Sequence, residues 1–292
     1  MASTWTQERE SAVNDALLEV SHIATLPEIT LKIIELVEDP TSTAQDLHKV
    51  ITNDPALCSR ILKVVNSAFY GLPGQIGSIN RAIVLLGLNA VKNIAIATSL
   101  AKLFRGGELC EGFSARDLWV HSTGAAAAAK LIADSAGIGL SDEAFLGGLL
   151  HDIGIMVEMQ TSRHKLIEVF EKFNPDGSNG DFLEIEESIF GANHQDFGRG
   201  LCEKWRFPKS FSYVTGYHHN PLELEPGVRT LACVIHLADK LAALEHIGFT
   251  GDVMSTDVDS MILEDLCLSS ADLQQIHSDL PQSLEQVQTM LG

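Results

Sequence analysis

Residues 141–154 read SDEAFLGGLLHDIG, and the reading of this stretch decides the fold. Phe145, Leu146, Leu149 and Leu150 recur at spacings of three and four, the period of one helix face. Ser141 is expected to cap this helix, Asp142 and Glu143 suit its first turn, and Gly154 is expected to end it. His151 and Asp152 then fall in the last turn of an apolar helix. Neighbouring residues on a helix point about 100° apart, yet both can reach one ion near a helix end. A lone buried carboxylate is costly, and a metal ion ringed by histidines offsets that cost.

The same period runs outward in both directions, and alternating apolar residues are scarce, so the fold class is all-α. Residues 30–37 form an amphipathic helix stopped by Asp39-Pro40. Ser42 or Thr43 caps the next helix. Asp54 precedes Pro55, a residue suited to the first helical position. That helix ends near Asn66, and turn formers fill residues 67–78. Residues 79–86 and 90–104 complete a bundle, and residues 105–114 (RGGELCEGFS) read as a linker.

Beyond the linker, Ser114 and Asp117 form a capping pattern for a helix that carries His121 and stops at Gly137. The run GAAAAA at 124–129 favours helix and permits close helix approach beside His121. Residues 174–180 (NPDGSNG) read as a loop, followed by a helix over about 181–190. Asn193 caps a helix beginning at His194; the helix from about Pro208 ends at His218-His219; residues 229–244 carry Asp239. The acidic, weakly periodic residues after Gly251 read as a small helical cap. The expected organisation is an N-terminal helical part (1–105), a metal-binding part (114–245) and the cap (246–292).

Of the 11 histidines, five fall in one ordered series with two aspartates: His121, His151-Asp152, His194, His218-His219, Asp239. Imidazole and carboxylate are ligands for divalent first-row metals. Asp239 lies in TLACVIHLADKLAAL, where an unpaired carboxylate needs a partner; a salt bridge to Lys240 or Arg229 is the bland alternative. His236, one turn earlier, reads as a supporting or core residue. Without thiolates the ligand set suits iron, manganese, zinc or nickel, one ion or two.

Composition narrows the classes. The net charge of −19 argues against binding nucleic acid or an anionic membrane. Five scattered cysteines with no C-x-x-C, no apolar leader and no uninterrupted apolar span of about 18 residues point to a cytoplasmic protein.

The series H…HD…H…HH…D, with LLHDIG at 149–154, resembles the ligand series of HD-domain metal phosphohydrolases in its extended, HD-GYP-like form. That resemblance implies one metal on His121, His151, Asp152 and Asp239, with Asp152 bridging to a second ion on His194, His218 and His219. It further implies metal-assisted hydrolysis, in which Asp152 would serve water activation. The sequence departs where HDIGK is common: Ile155-Met156 replaces the lysine that meets substrate phosphate, and the GYP-type motif is absent.

LPEI at 26–29, NDPALCSRILKVVNSAFYG at 53–71 and INRAIVLLGLNAVKNI at 79–94 are similar to the HDOD family, the HD-related output domain of bacterial signalling proteins. FGANHQDFG, EKWRFP and HHNP continue the likeness, which spans about residues 20–245. It implies an all-helical fold and a regulatory role. Asp54, Asn66, Ser67 and Tyr70 read as capping, helix-ending and packing groups, the alternative being contact with a ligand or partner. With no receiver or sensor domain in the sequence, the expected input is a partner or ligand. Three readings follow. The first is a metal-binding module whose output is contact with a signalling partner. The second is a phosphohydrolase or phosphodiesterase acting on a nucleotide or phosphate ligand. The third is a di-iron oxygenase.

Overall fold

Local signals start most of the helices. The computed structural model describes residues 6–23, 26–39, 41–104, 107–110, 112–173 and 180–291. Helices α1 (Gln7–Ile23), α2 (Glu28–Glu38), α3 (Ala44–Thr52), α4 (Pro55–Val65), α5 (Ile79–Leu86) and α6 (Leu88–Leu100) come first. Thr43 closes a capping box with Asp46, and Asp54 accepts from the Leu57 N–H at 2.9 Å, just ahead of Pro55. Asn66 ends α4: its amide donates to the carbonyls of Leu62 and Ile76 at 2.7 and 2.9 Å, and its oxygen accepts from the Ile76 N–H at 2.6 Å. The loop is thereby fastened to the helix end. Ser67 donates to Val64 O at 2.6 Å, and the Tyr70 ring meets Phe69 edge-on at 5.4 Å. Capping and packing account for these residues, as expected.

α1 was not foreseen in the polar N-terminal stretch. It packs against α9 (Ile153–Thr161) and α12 (His194–Lys204), in the far half of the chain. Val13 and Leu17 close on Gly200, where a Cβ would lie 2.7 Å from Val13 Cγ1. Arg9 pairs with Glu187 at 2.6 Å.

The expected linker is an antiparallel hairpin, β1 (Glu108–Cys110) with β2 (Phe113–Ser114). Phe113 holds it down, stacking on Phe170 at 4.4 Å and meeting Phe249 at 5.0 Å. Arg163 donates to Glu108 O at 2.8 Å.

Ser114 caps α7 (Ala115–Ala136), and Gly137 ends it at φ 62°, the left-handed region open to glycine. α8 (Ser141–Leu150) lies along α7, on which α14 (Thr230–Leu244) and α16 (Ser270–Leu291) also pack, and Ala125–Ala129 are all buried. A Cβ on Gly148 would stand 2.6 Å from Ala126 N, so small residues do bring these helices together. Two local expectations are corrected. Ser141 is the first helical residue rather than a cap, and its hydroxyl bonds Asp134. Gly154 does not end the helix. The chain turns at His151-Asp152, and α9 begins at Ile153 with Gly154 inside it.

α10 (Arg163–Lys172), α11 (Phe182–Phe190), α12, α13 (Lys209–Tyr217) and α14 (Thr230–Leu244) complete the half that holds the histidines. Most of the loop expected at 174–180 lies outside the described residues. The tail is more than a small cap: after α15 (Ser260–Asp265), α16 (Ser270–Leu291) is a long helix against α7 and α4. It buries Ile276, Leu280, Val287 and Met290. Among the described residues no helix is long and apolar enough to cross a membrane.

Candidate metal centre

All seven residues of the His/Asp series meet at one buried point. α7 brings His121, the turn after α8 brings His151 and Asp152, and α14 brings Asp239. Asn193 closes a capping box with Asp196, which puts His194 at the first position of α12. α13 stops at Tyr217, leaving His218 and His219 in the turn that follows.

Two groups form around Asp152. In the first, His121 Nε2 lies 3.0 Å from Asp239 Oδ1 and 3.3 Å from His151 Nε2, which lies 3.1 Å from Asp152 Oδ2. In the second, His194 Nε2 is 3.4 Å from His218 Nε2 and 3.1 Å from His219 Nε2. Asp152 Oδ1 is 3.3 Å from His218 Nε2 and 3.8 Å from His194 Nε2. One carboxylate thus presents one oxygen to each group, and neither oxygen has an aligned hydrogen bond although the side chain is fully buried.

The opposite ring nitrogens are held. Nδ1 of His121, His151 and His218 faces the carbonyls of Ile247, Gly148 and Val214 at 3.1, 2.8 and 3.2 Å. A carbonyl only accepts, so each Nδ1 carries hydrogen and, in the neutral ring, Nε2 is a bare lone pair. His194 Nδ1 is 2.8 Å from Glu186 Oε2. Where these rings are neutral, their lone pairs face one another beside the unsatisfied Asp152 carboxylate and repel; a cation among them reverses that. Locking the far nitrogen is how metal-binding histidines are oriented. The residues therefore fit divalent ions.

Asp239 pairs with His121 rather than with Lys240 or Arg229; Arg229 bonds Asp265 at 2.6 Å. His236 supports the site from behind, its Nδ1 2.6 Å from His218 O.

Without an ion, the protons distribute unevenly. Burial disfavours charge on His121, but Asp239 and then Asp152 outweigh it and lift the ring to about 9. His194 rises to about 10 against its burial, chiefly through Glu186. His218 and His219 fall to about 3, through burial and then through neighbouring imidazoles. Burial likewise resists ionisation of Asp152, yet His151 and His218 hold it well below the usual carboxylate range. Metal must displace the protons on His121 and His194 at neutral pH. We expect loading to release protons and apparent affinity to rise with pH from 6 towards 9. Calorimetry in buffers of different ionisation enthalpy checks this; pH-independent affinity would contradict it.

Three acids were missed from the sequence. Asp252, in the loop after α14, is fully buried with its Oδ2 3.5 Å from His219 Nε2. Nothing in the acidic tail distinguishes it from Asp257 or Asp259. Glu158 and Glu186 are buried as a pair behind His194, and burial followed by Glu186 pushes Glu158 well above its usual range. A lone acid in the apolar run IGIMVEM was the available signal for Glu158.

The centre opens through a mouth of about 180 Å³ lined by Asp181, His219, Asp239 and Asp252. Lys240 is the cation among its described lining residues, and its Nζ is tied to the carbonyls of Ser255 and Asp257.

Compared with known families, residues 23–221 match the HDOD domain. The chain belongs to the HDOD family. The chain is also 27% identical over 221 residues to an uncharacterized protein of Treponema pallidum (strain Nichols); the match covers 73% of this HDOD chain and 41% of that relative, so the chain spans about two fifths of the relative's length. Among solved structures, an HDOD domain protein of unknown function from Geobacter sulfurreducens aligns with a TM-score of 0.77 at 24% identity, over 96% of this chain and 98% of its own. A candidate phosphohydrolase from Shewanella amazonensis SB2B aligns with a TM-score of 0.71 at 21% identity, over 94% and 97%. At these identities the likeness is one of fold.

Proposed function

We propose that this HDOD protein is a regulatory module that carries two divalent transition-metal ions and delivers its output through a protein partner. The observation that carries the metal reading is Asp152, buried and turning one oxygen to each imidazole group. His121, His151 and Asp239 would hold one ion and His194, His218 and His219 the other. Bound ions would supply positive charge to this cluster and Lewis acidity at the mouth.

The surroundings favour regulation over phosphoester turnover. Asp181, Asp239 and Asp252 line the mouth, and the Lys240 ammonium is already engaged by two carbonyls. Ile155 and Met156 are buried where related phosphohydrolases carry a phosphate lysine. A net charge of −19 further repels phosphate esters. The second reading, a metal-dependent phosphohydrolase, draws on the complete ligand series and the shared Asp152.

Metal-loaded protein is expected to hydrolyse phosphodiesters and nucleotides no faster than its ion-free form, and to bind its partner in a metal-dependent way. Turnover that disappears in a folded Asp152→Asn variant would overturn the regulatory reading in favour of the hydrolase.

A further inference from the structure

The loop over 247–257 touches both imidazole groups, and its role is not explained by the ordered series. Its first residue, Ile247, accepts from His121 Nδ1 at 3.1 Å. Phe249 N–H donates to Asp117 O at 3.1 Å, which fastens the loop along α7. At its far end Lys240 holds the carbonyls of Ser255 and Asp257. Between these anchors sits Asp252, with no exposed side-chain surface and no hydrogen bond to either oxygen. A buried carboxylate without a hydrogen bond is costly. Asp252 can be grouped with His194, His218 and His219 so that one ligand atom from each lies within 4.8 Å of the others.

Resting on the two-ion reading above, we propose that Asp252 is an additional protein ligand, donated by this strap, that closes the second ion's position toward the mouth. The two half-sites then differ. The first has His121, His151, Asp239 and one oxygen of Asp152. The second has His194, His218, His219, the other oxygen of Asp152, and Asp252. The second has one more protein ligand than the first, and that ligand comes from the loop after α14 rather than from a helix.

Buried with neither oxygen hydrogen-bonded, the Asp252 carboxylate is a burden on the fold until a cation offsets it. This gives the role a signature of opposite signs: a neutral replacement should relieve the ion-free protein and weaken the loaded one. A residue that only supports the fold would destabilise both.

The test uses manganese(II), counted from loss of the free ion's spin resonance signal, on the full chain. Wild type is expected to bind two equivalents. Asp252→Asn is expected to keep one at unchanged affinity and to bind the other at least about tenfold more weakly. Its ion-free melting temperature should match or exceed wild type, and its loaded one should fall below. Asp252→Ala should reproduce the loss of the second equivalent, so the test does not depend on one variant folding. Two equivalents at wild-type affinity in both variants, or a fall in the ion-free melting temperature of both, would overturn the assignment alone. Wild type that binds no manganese would overturn the two-ion reading as well.

Discussion

Gly154→Ala is expected to lower the melting temperature by about 10 °C or more and to abolish metal loading. α9 crosses α12 at this residue. An alanine Cβ there would overlap the His194 carbonyl oxygen and lie 2.6 Å from His194 C and 2.9 Å from Gly198 N. All three are backbone atoms, so no rotamer change relieves the clash and the helices must part. Costs above about 4 kcal/mol belong to such cases, and each kcal/mol is worth about 2–4 °C in a chain of this class. Gly154 lies two residues after Asp152, and the atom it would strike belongs to His194. Separating α9 from α12 therefore pulls Asp152 away from the second imidazole group. Gly137→Ala is the control: its left-handed φ of 62° makes alanine strained, but nothing lies within 4 Å of the new Cβ. That variant should lose about 1–2 kcal/mol and still load metal. Thermal melts and metal content of the two variants check this. A Gly154→Ala protein that melts near wild type would show that α9 and α12 do not approach this closely.

Asp152→Ala is expected to abolish the stabilisation that metal confers. A ligand that binds only the folded protein adds about 4 kcal/mol when present at a thousand times its dissociation constant. For wild type that corresponds to a rise of about 8 °C on adding metal. Asp152 is the residue within 3.8 Å of imidazoles in both groups, so its loss removes a ligand from each. The variant's melting curve should be the same with and without metal. An undiminished shift would mean that the ions, if bound, sit elsewhere. Parallel melts of His219→Ala, which touches the second group only, should show part of the shift retained.

The parts of this chain that were legible in its sequence are those set by local chemistry. Thr43, Asp54, Ser114 and Asn193 start helices because their side chains accept from backbone N–H groups two or three residues on, wherever the helix goes. The His/Asp series was legible because its residue types are rare in apolar helices. The alanine run announced close packing because small residues have few other uses there. What stayed hidden depends on tertiary approach. Gly154 looks like a helix stop until α12 is laid across it. Residues 105–114 look like a linker until Phe113 finds Phe170 and Phe249. α16 looks weakly periodic because Ile276, Leu280, Val287 and Met290 are separated by polar residues and Pro281. Asp252 has no pattern at all; only the fold of its loop brings it to His219.

Elemental mass spectrometry on untagged protein, purified without chelators, tests the central claim most directly when wild type is run beside His151→Ala/Asp152→Ala. Two equivalents of a transition metal in wild type, lost from the double variant, are predicted. Wild type that stays folded and holds no transition metal, even after exposure to iron, manganese, zinc and nickel, would contradict the account.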